Sequence, residues 1–272
     1  MLYNLEFIKI GPEFELAGVG FAGNIFITLN AILHLGNDDT LRVDMTKEEC
    51  ACTEKTKLFN TDNCWEYYFN QANLPINQPY NTLNSLLSAK IQYGDSFTNP
   101  KIYSDLKHRF FSNFSLKDNV KQSVDSFYNQ NIKGKHTLGV QVRLTDMKYY
   151  HKVSDVDVYL RRVDSLLEED SSIEQIFLAT DDSRVIAIFQ EHFSVPIVYY
   201  TDMFRADDIN PHNEPYDRFK SYPNNHRYNM GLECLQEILT LAKCDCMLRA
   251  HISSISILAC IFSDNLKNIY TL

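Results

Sequence analysis

The chain has 272 residues and a net charge of −9, from 26 Lys and Arg against 35 Asp and Glu. That length can bury a substantial core, in one large domain or two small ones. The acidic balance excludes nucleic acid as the main ligand, because backbone binding needs a basic face.

Seven cysteines, an odd number, include the C-x-C pairs Cys50–Cys52 and Cys244–Cys246. These are not zinc-type spacings, and no metal is expected. Met1–Ile10 carries Glu6 and Lys9 and does not read as a secretory leader. No apolar run is long enough to span a bilayer. The expectation is a cytoplasmic protein with reduced thiols. The 16 Tyr and 17 Phe suit sugar rings, and they are equally ordinary core material.

In chain order, residues 1–16 mix polar and apolar positions and read as an edge strand or hairpin. Gly18-Val-Gly-Phe-Ala-Gly-Asn24 follows, then an apolar helix from Ile25 to Leu35. Glycines at Gly20 and Gly23 let a turn pass close to a ligand, and the helix would offer N–H groups to an anion. Leu41–Asp44 reads as the next strand of a βαβ unit. Cys64-Trp-Glu-Tyr-Tyr-Phe69 holds the only Trp. Tyr67 and Phe69 read as core, and Trp65 as either a core plug or a sugar platform. Residues 80–116 look helical with interruptions. Asn119–Asn131 has Val120, Val124, Phe127 and Tyr128 on one helical face. The polar break at Ile132–His136, with Gly134, marks a domain boundary, giving domains 1–135 and 136–272.

The second half alternates strand and helix. Leu138–Val142 is a buried strand that delivers Arg143 and Asp146 to its carboxyl end. Val156–Glu169 is a helix, Gln175–Ala179 a strand, Ser183–His192 a helix and Val195–Tyr200 a strand. An acidic Pro- and Asn-rich loop spans 201–225. Met230–Ala242 is a helix, Cys246–Leu248 a strand and Ser253–Ile261 a helix. Short links between such elements imply a Rossmann-like parallel sheet, with ligands at its carboxyl edge. A guanidinium there suits phosphate, by paired charge-assisted hydrogen bonds. Of the carboxylates after the second strand, Asp182 reads as the cap of the next helix and Asp181 as site-facing. Ser253 and Ser254 stand at a strand-to-helix turn, where hydroxyls and N–H groups bind phosphate.

The stretch Gln141-Val-Arg-Leu-Thr-Asp146 resembles the first motif of GDP-fucose-dependent fucosyltransferases, H-x-R-R-T-D in the α-1,6 nodulation and protein enzymes. Arg143, Thr145 and Asp146 match. Gln141 replaces the His, as in plant cell-wall enzymes, and Leu144 replaces a second Arg. Ile176-Phe-Leu-Ala-Thr-Asp-Asp182 matches the family almost letter for letter. Gly20, Gly23 and Asn24 resemble its opening G-x-G-N-R, with Ile25 in place of the Arg. His226-Arg227-Tyr228 resembles its His-Asn-Arg-Tyr stretch, and Asp245 with Ser253 and Ser254 its third motif.

The resemblance implies an α/β fold of GT-B type, two Rossmann-like domains with the acceptor on residues 1–135 and the nucleotide sugar on 136–272. It implies an inverting, metal-independent transfer of L-fucose from GDP-fucose to a glycan hydroxyl, with no cofactor. Arg143 would hold the donor pyrophosphate. Gln141, Asp181, Arg227, Ser253 and Ser254 would join it, and Glu237, two turns before Asp245, would read guanine. A carboxylate suits guanine because N1–H and the 2-amino group donate together, whereas uracil offers one donor between two acceptors. The general base falls on His151, eight residues after Arg143, with Asp146 as its rival. Trp65 is assigned to the acceptor. The alternatives are the same fold with another donor such as UDP-xylose, suggested by Gln141, Leu144 and Ile25, or a non-catalytic carbohydrate-binding protein. An oxidoreductase ranks last, since no P-loop or G-x-G-x-x-G stands in the right context.

Overall fold

A computed structural model describes residues 1–7, 20–46, 52–73, 80–84, 100–144, 155–205, 226–249 and 253–272. The chain packs into two compact units, Met1–Gln122 with Ser221–Leu235, and Ser123–Lys220 with Gln236–Leu272.

The first unit opens with β1 (Leu2–Glu6), α1 (Phe21–Ile32) and β2 (Thr40–Asp44). Further on come β3 (Phe69–Asn70), β4 (Asn81–Asn84), α2 (Pro100–Asn113), β5 (Ser115–Leu116) and the start of α3 (Asp118–Asn131), which belongs to the second unit from Ser123 on. Strand β1 lies between β2 and β4, parallel to both, so it is the centre of a three-stranded sheet and not the expected edge. Its polar Asn4 is fully buried but paired, accepting from Arg42 and donating to Glu6 at 3.2 and 3.3 Å. Residues 81–84 are strand where the sequence looked helical. Their pairing with β1 overrides a weak local preference.

Helix α1 starts four residues earlier than expected. Gly20 is its N-cap, and Gly23 and Asn24 lie buried in its first turn. Gly20 and Gly23 therefore build the helix start itself. Strand β2 is an edge, and side-chain amides close it. Asn113 accepts from Leu41 N, Gln71 from Val43 N, and Asn63 from Met45 N, at 2.6, 2.8 and 3.2 Å. The Val43 carbonyl takes hydrogen bonds from Asn63 and Gln71. Such capping blocks the pairing that an open edge invites.

The second unit contains β6 (Thr137–Val142), α4 (Val156–Glu169), β7 (Gln175–Thr180), α5 (Ser183–His192) and β8 (Ile197–Val198). After them come α6 (His226–Leu241), which begins in the first unit, then β9 (Cys246–Arg249), α7 (Ser254–Phe262) and β10 (Asn268–Thr271). The five strands are parallel in the order β10-β9-β6-β7-β8. The chain builds outward from β6 to β8, then returns to add β9 and β10 on the other side. This is doubly wound order, with its reversal between β6 and β9.

Strands β6 and β7 are buried along their whole length, as both-face coverage requires. One face packs Leu138, Val140, Val142, Ile176 and Leu178 against α4 and α5. On the other, Gly139 is needed because α6 ends directly above it. A methyl there would lie 3.0 Å from Leu241 Cδ2 and 3.2 Å from Cys244 Sγ. Phe127 of α3 stacks on Tyr200 over the same face, with ring centroids 3.7 Å apart. No helix among the described residues is long and apolar enough to cross a membrane.

Candidate functional site

The carboxyl edge of the five-stranded sheet gathers the polar groups of the second unit. Arg143 follows the last residue of β6. Its Nε lies 3.9 Å from Asp181 Oδ2, and both side chains are about three-quarters buried, at 22% and 25% exposure. Asp181 Oδ1 also accepts from Leu144 N at 3.3 Å. The backbone N–H of Arg143 bonds the phenol of Tyr159, whose pKa burial and the nearby Asp181 push upward, so this hydroxyl stays protonated. Asp181 and Tyr159 together aim the arginine. Asp182 does something different. It caps α5, accepting from Arg184 N at 2.9 Å, and its carboxylate also binds the Arg184 guanidinium.

At the reversal, β6 and β9 pair Leu138 with Cys246, Gly139 with Met247 and Val140 with Leu248. One step further sets Gln141 beside Arg249. Side chains alternate between faces. Leu138, Val140, Cys246 and Leu248 belong to the α4 and α5 side, so Gln141 and Arg249 share the opposite one. Arg249 is felt there by Cys260 of α7, a thiol that burial pushes up to about 12. Gln141, Arg249 and Ser253 are 2%, 4% and 4% exposed. Yet Gln141 Oε1, Arg249 Nη1 and Ser253 Oγ have no hydrogen-bond partner among the described residues. Ser253 is the N-cap of α7, but its hydroxyl does not cap the helix. Ser254 is the first residue of that helix.

Glu237 lies on α6, one turn before Leu241. A helix that crosses over into a parallel strand runs against it. One helical turn back from Leu241 covers about the same distance as two strand residues beyond Gly139. Glu237 is therefore level with Gln141, on the same side of the sheet. Burial, helped by the Glu237 charge, raises the pKa of Tyr200, whose hydroxyl pairs with Thr240 Oγ1 at 2.8 Å. Arg205 reaches the same edge from its loop. Its Nε donates to the carbonyl of Thr180, the last residue of β7, at 3.2 Å, and the guanidinium lies over the Tyr199 ring.

Other expected site residues fall in the first unit. Arg227, in the opening turn of α6, is 8% exposed and donates through Nη1 to the Thr53 carbonyl at 2.8 Å. Gly20, Gly23 and Asn24 form the start of α1. The acceptor assignment of Trp65 is corrected. This side chain is 0% exposed, stacked on Phe69 at 4.6 Å and edge-on to Phe114 at 5.1 Å. Its neighbours are aromatic on several sides, so it is core. Asp146 and His151 lie outside the described residues.

Arg249 was not among the expected site residues, although the sequence carried a signal. Cys-Met-Leu-Arg249 is a short apolar strand ending in an arginine before a helix, the same pattern that singled out Arg143. Among the described residues no group of three or more His, Cys, Asp or Glu converges as a metal would require.

No protein-family model matches the chain. No curated protein matches its sequence. Solved structures do match. The fucosyltransferase NodZ from Bradyrhizobium is 13% identical over 96% of this chain and 93% of that one, with a TM-score of 0.50. NodZ α-1,6-fucosyltransferase soaked with GDP-fucose gives 13%, 96%, 92% and 0.51. POFUT1 in complex with GDP gives 10%, 99%, 97% and 0.52. At these identities the likeness is one of fold. The chain has the α/β fold of these fucosyltransferases, built on parallel sheets as its sequence led one to expect.

Proposed function

We propose that this protein is a GT-B-type glycosyltransferase, binding a nucleotide-sugar donor at the carboxyl edge of the five-stranded sheet. The observation that carries the reading is Ser253. It occupies the N-cap of α7 at the β6/β9 reversal, buried, with its hydroxyl bonded to nothing among the described residues. A serine in that position ordinarily caps its own helix. Left uncapped, the helix start and the hydroxyl suit an anion. Arg143, held by Asp181, faces the same edge from the neighbouring strand.

In this reading residues 136–272 hold the donor and residues 1–135 the acceptor. Arg143 and the N–H groups of α7 neutralise the diphosphate as it leaves. The acceptor oxygen attacks the anomeric carbon from the face opposite the diphosphate, forming one C–O bond as the other breaks, which inverts that centre. The acceptor proton passes to a general base, assigned to His151 with Asp146 as the alternative. No metal or other cofactor enters these steps. The partners are a nucleotide sugar and a glycan. The six described cysteines are all free, which fits a reducing compartment, and we place the protein in the cytoplasm.

The favoured donor is GDP-fucose. Glu237, level with Gln141, can accept from guanine N1–H and the 2-amino group together, and structures of the same fold carry GDP or GDP-fucose. A second reading keeps the fold and changes the donor to another nucleotide sugar such as UDP-xylose. It is favoured by Ile25, fully buried where the resembled motif has Arg, and by Leu144. A thermal-shift screen with GDP, UDP and their sugars tests both, because a ligand of the native state raises its unfolding midpoint. Stabilisation by GDP and GDP-fucose is the expected result. Stabilisation by UDP alone selects the second reading, and stabilisation by none overturns donor binding.

A further inference from the structure

The resembled motifs carry two arginines that this chain lacks, at Leu144 and Ile25. The second unit brings an arginine to its sheet edge from another strand. Arg249 ends β9, directly across the reversal from β6. Its Nε donates to Thr271 Oγ1 of β10 at 3.2 Å, which fixes the guanidinium plane. It is 4% exposed, its Nη1 has no hydrogen-bond partner, and no carboxylate pairs with it among the described residues. A guanidinium keeps its proton under all ordinary conditions. Burying that charge with donors unmet is costly unless an anion answers it.

We infer that Arg249 is a ligand of the donor diphosphate, supplying from β9 the positive charge that Leu144 and Ile25 do not provide. This rests on the nucleotide-sugar reading above and deepens it. The site then has arginines on both sides of the reversal, Arg143 after β6 and Arg249 on β9. The uncapped start of α7 follows Arg249 by four residues, so both lie at the carboxyl edge. In a chain of net charge −9, a local pair of cations flanking a helix N-terminus is what selects an anion. Gln141 and Glu237 lie on the same side of the sheet, which leaves the base to them and the phosphates to the arginines.

The test is Arg249→Met in the full chain, with two readouts. The first is the unfolding midpoint without ligand. The second is calorimetry with the nucleoside diphosphate that wild type prefers and with the matching nucleoside. If Arg249 awaits an anion, the ligand-free variant is as stable as wild type or more so, because an unanswered buried charge has gone. Its affinity for the diphosphate falls about 10- to 100-fold, as for a lost hydrogen bond to a charged group, while nucleoside affinity stays within about twofold. If Arg249 is instead a brace between β9 and β10, the variant loses stability or fails to fold, and the inference is overturned. An unchanged diphosphate affinity overturns it as well. If wild type itself binds neither GDP nor UDP, the donor-binding reading fails, and Arg249 falls with it. That failure is seen in wild type alone and is not mistaken for the others.

Discussion

The two sheets treat their polar groups in opposite ways. In the first unit, the free edge of β2 is answered by Asn63, Gln71 and Asn113, and Arg42 by Asn4 and Glu66. At the carboxyl edge of the second sheet, Gln141, Arg249 and Ser253 are buried more deeply than Arg42, Gln71 or Asn113, yet each keeps an atom with no partner among the described residues. The first unit has unpartnered atoms too, such as Trp65 Nε1, in a ring packed among other aromatics, and Thr53 Oγ1, but neither residue lies in a strand. Satisfied polar groups hold a fold together. Buried polar groups gathered at a strand reversal without partners lower stability, and persist where a ligand completes them.

The largest effect that would break this contrast is on catalysis. Arg143→Ala should lose about 2–4 kcal/mol of transition-state stabilisation, a drop of roughly 30- to 1,000-fold in kcat/KM, with the fold intact. Its partner Asp181 would remain bonded to Leu144 N. Near-normal turnover in a folded Arg143→Ala protein would remove Arg143 from the site. Next in size is the base preference. Glu237→Ala should weaken GDP by about 1.5–3 kcal/mol, the worth of hydrogen bonds to a charged group, and leave UDP nearly unchanged. Calorimetry on both nucleotides reads this directly. Equal losses for both would make Glu237 a structural carboxylate.

The same contrast explains what the sequence disclosed. Strands β6 and β7 and helices α4 and α5 are legible because continuous apolar runs and 3.6-residue spacing leave little choice of element. Asp182 was legible as a cap because it precedes a helix at the right position. The first unit was harder. Asn81-Thr-Leu-Asn84 has little strand preference of its own, and only pairing with β1 makes it one. Helix α6 starts at His226, not Met230, and in its first turn Tyr228 N donates to Glu54 at 2.8 Å, a partner 174 residues away that local spacing does not reveal. Trp65 could not be placed from composition, because a lone Trp beside polar residues suits a core and a sugar site alike. Its partners Phe110 and Phe114 lie far along the chain. Arg249 was visible in pattern but lacked a motif to single it out. Its significance comes from burial, which only the fold supplies.

A smaller effect should appear in the first unit, on stability alone. Asn63 is 2% exposed, donates to the Val43 carbonyl, accepts from Met45 N and caps the 3₁₀ turn at Cys64–Tyr67. Asn63→Ala leaves those backbone groups unmet and should cost about 1–3 kcal/mol. Denaturant titration should show the lower midpoint. Nucleotide affinity of the folded protein should not change. A variant as stable as wild type would show that the amide caps of β2 are incidental.

The smallest expected effect is that of chelation, which should be none. The carboxylates at the sheet edge are already engaged. Asp181 lies 3.9 Å from the Arg143 guanidinium and accepts from Leu144 N, and Asp182 holds Arg184 and the start of α5. A divalent cation at Asp181 would have to displace Arg143, the group proposed to meet the same diphosphate. Fixed guanidinium groups and a helix start supply positive charge without a metal. EDTA should therefore leave turnover and nucleotide affinity at their original values. Loss of activity on chelation, with recovery on adding manganese, would reverse the assignment. It would mean that the acidic pair opens toward a cation and that Arg143 serves only to hold Asp181 until the cation arrives.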